Sequence, residues 1–538
     1  MMRMRTAVVG LMAGGMAMLA ASAAIRRVGP TVRIDSGVVR GVRLAGLPKG
    51  GEFLGIPYAA QPVGALRWRA PQPAPHWSGV REASAWGPAC MQRPSTWLPE
   101  MLGVREMPTS EACLYVNVWT PEVRPAKKLP VLVWIHGGGN VEGSGEWPEG
   151  LGPTLARTGV VVVSLNYRLG AFGFFAYSAL DGESRDRVSG NYGNLDQIAA
   201  LAWVRRNIGA FGGDPGRVTI AGQSSGSEDV CILMASPLAR GLFEGAILES
   251  GTCVDSVYPK LKEEEASDGG LPRDLSVAAG PDAIEKLRAV PADRILETAA
   301  KDGNLDLGPT VDGWMLPEQP GITFARGEQA PVAVMVGTNE DEVSIFASPI
   351  VGGTAYRPKT VAEYRAWLLR EFGSDFAGRV FAAYPAHEDS EVPGVFRTMF
   401  SDYDFAFSAW LLARDTAQTG RRAYLYRFTY VGAGPFAELG AFHSEELMFL
   451  SGHSWTTWVR QPGDAEMSRT LVGYWSDFVK TGDPNGGGLP AWPAFRRSAN
   501  DCQELGRRVG PERVPRVEKL EVFYEYLRTR LTSLPAKP

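Results

Sequence analysis

Two kinds of apolar run occur along the chain, and they predict different surroundings. Residues 32–44 (VRIDSGVVRGVRL) alternate in part around a central glycine, the pattern of an antiparallel hairpin. Residues 129–135 (LPVLVWI) and 159–165 (GVVVVSL) do not alternate at all, which predicts strands buried on both faces of a parallel sheet, with helices covering each face. Between residues 195 and 208 the apolar positions Ile198, Leu201, Val204 and Ile208 step by three, three and four, the spacing of an amphipathic helix. Arg205 and Arg206 fall at its negative end. A turn cluster, FGGDPGR (211–217), follows, and then a short β-prone run (218–221) leads straight into GQSSG. The most polar interior stretch, 260–281, is expected to be a surface insertion. No fixed-period repeat or low-complexity linker divides the chain, so one α/β domain with large insertions is expected.

Composition narrows the partner. The hydrophobic share is 45% and the charged share 21%, ordinary for a globular chain, and the net charge of -4 leaves no electrostatic footprint for nucleic acid or anionic lipid. A small-molecule partner is expected. Arg3 and Arg5 precede an apolar stretch (7–19), and Ala21-Ser22-Ala23 has the small-x-small form of a cleavage site. Residues 1–23 therefore read as an export signal, leaving 24–538 as an exported domain, periplasmic or secreted, with no stable membrane insertion. Of the five cysteines, Cys90 and Cys113 bracket a polar, proline-containing segment and are expected to pair, while Cys231, in an apolar helix-like run, is expected to be a buried thiol. No CxxC pair is present, which disfavours zinc.

The candidate chemistry begins at Gly222-Gln223-Ser224-Ser225-Gly226. This G-x-S-x-G requires a strand to turn abruptly into a helix with the serine at the bend. In a chain with 63 glycines the motif alone is weak; a β-run before it and a helix-like run after it (230–234) strengthen it. His136-Gly137-Gly138-Gly139 directly follows the buried run LPVLVWI, where glycine-rich backbone can aim amides at a developing oxyanion. A serine nucleophile needs a base, and the chain has five histidines: 76, 136, 387, 443 and 453. The order serine, acid, histidine leaves His387, His443 and His453. The acid should follow the strand-like run 331–336 (PVAVMV), whose end supplies Glu340, Asp341 and Glu342; spacing does not choose among them.

These motifs belong to a longer ordered set: FLGIPYAAQPVGALRW (53–68), GPACMQ (87–92), EACLYVNVW (111–119), WIHGGG (134–139), GNYGNLDQ (190–197), GQSSG, PTVDG (309–313), GTNEDE (337–342), GAFHSEEL (440–447) and TGDPN (481–485). From residue 32 onward the chain resembles the type-B carboxylesterases, the family of the cholinesterases and carboxylesterases. The resemblance implies an α/β-hydrolase fold, with a mostly parallel central sheet, antiparallel N-terminal strands and helices on both faces. It implies Ser224 as nucleophile, Glu342 as triad acid and His443 as base, with the amides of Gly138, Gly139 and Ser225 forming an oxyanion hole. It supports the Cys90–Cys113 disulfide and implies no metal or organic cofactor. A metal site built from His443, Glu445, Glu446 and His453 is correspondingly disfavoured.

The implied reaction is ester hydrolysis through an acyl-enzyme. An amidase, lactonase or transacylase could use the same triad, and a non-catalytic recognition protein would be expected to lack a triad member. Departures from the family pattern cluster beside the nucleophile. Gln223 stands where the family usually has Glu, Ser225 and Ser227 replace small apolar residues, Val343 replaces a common Gly, and Asn140 follows the oxyanion glycines. Gln223 and Asn140 are thus candidate substrate-binding residues of a neutral, more polar pocket. Near the position of the cholinesterases' choline-binding Trp the chain reads Met101-Leu102-Gly103, with Trp97 upstream, which argues against a quaternary-ammonium substrate. Acyl and alcohol preference should reside in loops such as 91–112 and 252–300.

Overall fold

A computed structural model describes residues 28–94, 107–148, 150–268, 270–301, 307–346, 348, 357–434, 436–452 and 461–532. The expected export signal, Trp97, Met101-Leu102-Gly103 and His453 lie outside the described residues. A 13-stranded sheet organises the chain. β1 (Val28–Ile34) and β2 (Gly37–Val42) form the expected antiparallel hairpin, with β4 (Val80–Glu82) beside β2. β3 (Gly51–Pro57) and β5 (Tyr115–Thr120) continue the antiparallel part, and β5 meets β7 (Val161–Leu165) antiparallel. Seven strands then run parallel in the order β7, β6 (Leu129–Ile135), β8 (Gly213–Gln223), β9 (Gly245–Glu249), β10 (Ala333–Asn339), β11 (Ala423–Phe428) and β12 (Asp501–Leu505). β13 (Val509–Arg513) closes the far edge antiparallel to β12, a hairpin of largely polar residues that periodicity did not announce.

The non-alternating runs have the predicted cause. Successive residues of β6 and β8 point to opposite faces of the sheet, and both faces are dry. Val133, Ile135, Ile220 and Val336 pack into one core with Val204 and Ile232, from the helices Tyr192–Asn207 and Ser225–Ala235. Leu132, Trp134, Ala221 and Met335 pack into a second core with Leu471, Trp475 and Phe478 of the helix Asp464–Thr481. The helix expected at 195–208 begins three residues earlier, and its buried positions spread beyond one stripe to include Asn194, Gln197 and Trp203. Asn194 and Gln197 can be buried there because their amides donate to the Asp229 carboxylate, at 2.8 and 2.6 Å. The polar stretch 260–281 carries the short helices Leu261–Asp268 and Gly270–Asp274 on the surface, anchored by buried Leu271.

Two disulfides brace the molecule: Cys90–Cys113, as expected, and Cys231–Cys253. The second corrects the expectation of a free thiol at Cys231. Burial and pairing both suit an apolar neighbourhood, and the partner lies beyond β9, at a sequence separation of 22. Cys502 is the buried free cysteine, its thiol held well above the ordinary range by burial. A 22-residue closure is worth roughly 3 kcal/mol in the chain-entropy description. Cys231→Ala/Cys253→Ala is therefore expected to lose about 3 kcal/mol in urea unfolding while esterase activity of the folded fraction persists. An unchanged unfolding midpoint would show that the bridge does not constrain the unfolded chain.

Candidate active site

The residues singled out from sequence meet beyond the carboxyl ends of the parallel strands, where open α/β sheets place their ligands. β8 ends at Gln223, and Ser224 stands alone between it and the helix Ser225–Ala235, with φ 57° and ψ −133°. A non-glycine residue in that region is strained, so its neighbours must over-determine it. They do: the Ser224 N–H donates to the Glu249 carbonyl at 2.9 Å, and the Ser224 carbonyl accepts from Ser227 and Glu228 at 2.8 and 3.0 Å. The flanking glycine Gly226 is dictated by contact, since a Cβ there would sit 2.3 Å from the Ile135 carbonyl oxygen. Ser224 itself is half-buried, the neighbouring Ser225 and Gln223 buried.

Three carboxylates end β10, and the fold separates their tasks. Glu340 pairs with Arg427 and Arg516 at 2.9 and 3.2 Å, and Asp341 with Arg397 at 3.2 Å. Glu342, fully buried, instead accepts from His443 Nδ1 at 2.6 Å through Oε2, and from the Asn339 N–H at 2.7 Å through Oε1. His443 lies between β11 and the helix Glu445–Leu450, buried, with the Phe346 and Phe405 rings 5.1 and 5.2 Å away. Its other nitrogen, Nε2, faces the Gln223 carboxamide nitrogen at 3.0 Å.

The remaining described histidines have other surroundings. His76 and His387 are exposed. His136 stacks on Tyr167 at 4.5 Å with Nδ1 2.8 Å from the Gly137 carbonyl, and burial lowers its pKa to about 4, so it stays neutral.

Gly138, Gly139 and Asn140 form three consecutive positive-φ residues, at 108°, 62° and 59°. Glycine suits the first two, and Asn is among the few side chains that tolerate the third. The loop is held from several sides: Val141 and Glu142 donate to the Gly138 carbonyl, Gly170 donates to the Asn140 carbonyl at 2.7 Å, and Gln92 exchanges two 2.8 Å bonds with Gly143. Among the described residues no acceptor receives the N–H of Gly138, Gly139 or Ser225. The two expected pocket residues both make hydrogen bonds within the protein. Asn140 is buried, its N–H donating to Ser225 Oγ at 3.1 Å and its side-chain oxygen accepting from the Tyr167 hydroxyl at 3.2 Å. Gln223, also buried, turns to His443.

Sequence reasoning missed Asn339, whose side chain donates to the Phe442 carbonyl at 2.7 Å and to Glu446, tying the end of β10 to the segment that carries His443. Its place inside GTNEDE was the available signal. It also missed the site's carboxyl groups. Burial pushes Glu228 up to about 7 and holds Asp255 well above its usual range. Behind the Glu342–His443 pair, burial likewise raises Glu446 to about 7 and Glu249 well above normal. Among the described residues no cluster of His, Cys, Asp and Glu could hold a metal ion. No helix among them is long and apolar enough to cross a membrane.

The model of the Carboxylesterase family matches residues 28–521. A fumonisin B1 esterase of Sphingopyxis macrogoltabida is 37% identical, covering 85% of this chain and 84% of its own length. A para-nitrobenzyl esterase of Bacillus subtilis (strain 168) is 36% identical over 92% of this chain and 98% of its own. Among solved structures, a PNB esterase at 32% identity superposes with a TM-score of 0.77, covering 92% of this chain and 99% of that one. The described sheet, with its antiparallel N-terminal strands, is that α/β-hydrolase architecture. The chain belongs to the carboxylesterase family and is a carboxylic-ester hydrolase.

Proposed function

We propose that this enzyme cleaves carboxylic esters through an acyl intermediate on Ser224. The observation that carries the reading is the 2.6 Å pairing of buried Glu342 with His443 Nδ1, at the same end of the sheet as the strained serine. With Nδ1–H donated to the carboxylate, Nε2 is the free base of the ring. His443 takes the Ser224 proton as Oγ attacks the ester carbonyl, and Glu342 stabilises the imidazolium that forms. The amides of Gly138, Gly139 and Ser225, which have no other acceptor among the described residues, receive the oxyanion. His443 returns the proton to the departing alcohol, and water then repeats the sequence on the acyl-enzyme. The substrate is a small-molecule ester, and two disulfides suit an exported protein.

Aryl esters are sensible probes, given the para-nitrobenzyl esterase among the relatives. Rapid mixing with a p-nitrophenyl ester should release about one equivalent of p-nitrophenol before the steady state wherever deacylation is slow. An alkyl fluorophosphonate should stop turnover with one adduct, located by peptide mass spectrometry on Ser224. An adduct on another residue, with turnover lost, would overturn the assignment.

A further inference from the structure

Among the described residues the His443 ring makes two hydrogen bonds, to Glu342 and to Gln223, and neither is to Ser224. The orientation of the Gln223 amide follows from chemistry. Because Glu342 takes the Nδ1 proton, a neutral ring has a bare lone pair at Nε2, which can only be faced by a donor, the carboxamide N–H. The carboxamide oxygen, Oε1, is buried and has no hydrogen-bond partner among the described residues. Such an oxygen is costly to leave unpaired unless another state of the site uses it.

From this geometry we infer that Gln223 is a positioning residue that serves both protonation states of His443: its N–H holds the resting base, and its Oε1 receives the Nε2–H formed in the reaction. The inference rests on the proposed roles of Ser224 and His443. In the resting enzyme Gln223 competes with the Ser224 hydroxyl for the Nε2 lone pair. When substrate brings Oγ into line, Oγ–H displaces the amide and its proton passes to Nε2, while Oγ bonds to the carbonyl carbon. The ring then carries a donor at Nε2, and the carboxamide, turned half a revolution about its terminal bond, offers the oxygen. The glutamate usual in the family can only accept, so it favours the charged ring alone. Gln223 thus meets either form of the ring without a charge beside the nucleophile. The other charged groups facing the imidazole are Glu342, Asp404 on the segment Asp402–Ala406, and Glu446 on the helix that follows His443.

The carboxamide oxygen's bond to the charged ring is charge-assisted and outweighs the amide's bond to the neutral ring, so the substitutions have signs. The test is kcat/KM for a p-nitrophenyl ester from about pH 5 to pH 9, in the wild type, Gln223→Met and Gln223→Glu. Gln223→Met loses both bonds, and the one to the charged ring is the stronger by roughly fivefold, so the acid limb should move down by about 0.7 pH unit. In Gln223→Glu it should move up by about one unit or more. Both variants are checked by thermal melting, and Glu is the residue relatives accommodate. If both fold and their acid limbs coincide with the wild type's, while kcat/KM falls equally at every pH, Gln223 only packs and the inference fails. A limb moving to higher pH in Gln223→Met would also overturn it. Fluorophosphonate labelling of the wild type separates the two levels. Labelling away from Ser224 defeats the functional reading, whereas labelling at Ser224 with unmoved limbs defeats only the role of Gln223.

Discussion

Ser224→Ala is expected to lower kcat/KM for a p-nitrophenyl ester by on the order of 10⁴-fold or more, with no change in the unfolding midpoint. The chemical half follows from the mechanism. Without Oγ no acyl-enzyme forms, His443 has no proton to accept from the nucleophile, and only the oxyanion amides and substrate binding remain to assist water. The structural half follows from the backbone. The bonds that hold the elbow, from the Ser224 N–H to the Glu249 carbonyl and from Ser227 and Glu228 to the Ser224 carbonyl, do not involve Oγ. Alanine bears the same positive φ as serine, so the strain is neither relieved nor increased. Steady-state kinetics and thermal melting, on one preparation, check both halves. Undiminished turnover would move the nucleophile elsewhere; lost turnover with a lowered midpoint would show that the hydroxyl also supports the fold.

What sequence reading captured is what is local. LPVLVWI became β6 from Leu129 to Ile135 because an unbroken apolar run can only be satisfied with both faces covered, a condition written into the run itself. GQSSG became the elbow because its glycines are required by contacts with the adjoining loop and strand. What it could not capture depends on partners distant in sequence. Glu340, Asp341 and Glu342 are equivalent carboxylates on paper. They are told apart by Arg427, Arg516, Arg397 and His443, delivered by later strands, helices and loops. The Cys231–Cys253 bridge is invisible for the same reason, since its closure is a property of how β9 returns to the sheet. Gln223 and Asn140 illustrate a subtler limit. Their polarity was legible, but not its direction: Gln223 turns to His443 and Asn140 to Tyr167. Near the site, burial also raises the carboxyl groups of Glu228 and Asp255 above their usual range.

Glu342→Gln should cost about 10⁴-fold in kcat, a loss set by proton placement rather than by removal of a group. Glu342 accepts two hydrogen bonds, from the Asn339 N–H at Oε1 and from His443 Nδ1 at Oε2. Glutamine has one acceptor and one donor arm. The Asn339 amide has no lone pair to offer, so the carbonyl oxygen must stay there and the NH₂ must face Nδ1. Nδ1 then becomes the acceptor, the ring proton moves to Nε2, and the nitrogen that should receive the Ser224 proton is already occupied. KM should change little, because the ring is not asked to hold the ground-state ester. The Gln223 role adds a second, distinguishable expectation. In Glu342→Gln the carboxamide of Gln223 can turn its oxygen to the misplaced Nε2–H and so stabilise the inactive tautomer. Gln223→Met in that background should therefore recover part of the lost kcat, roughly fivefold. In the wild type the same substitution acts chiefly through the acid limb of the pH profile. A double-mutant cycle in kcat at pH 8, with all four proteins shown to melt cooperatively, measures the difference. An additive cycle would mean that Gln223 does not sense which nitrogen carries the proton, whereas coupling with the stated sign ties the residue before the nucleophile to the tautomer of the base.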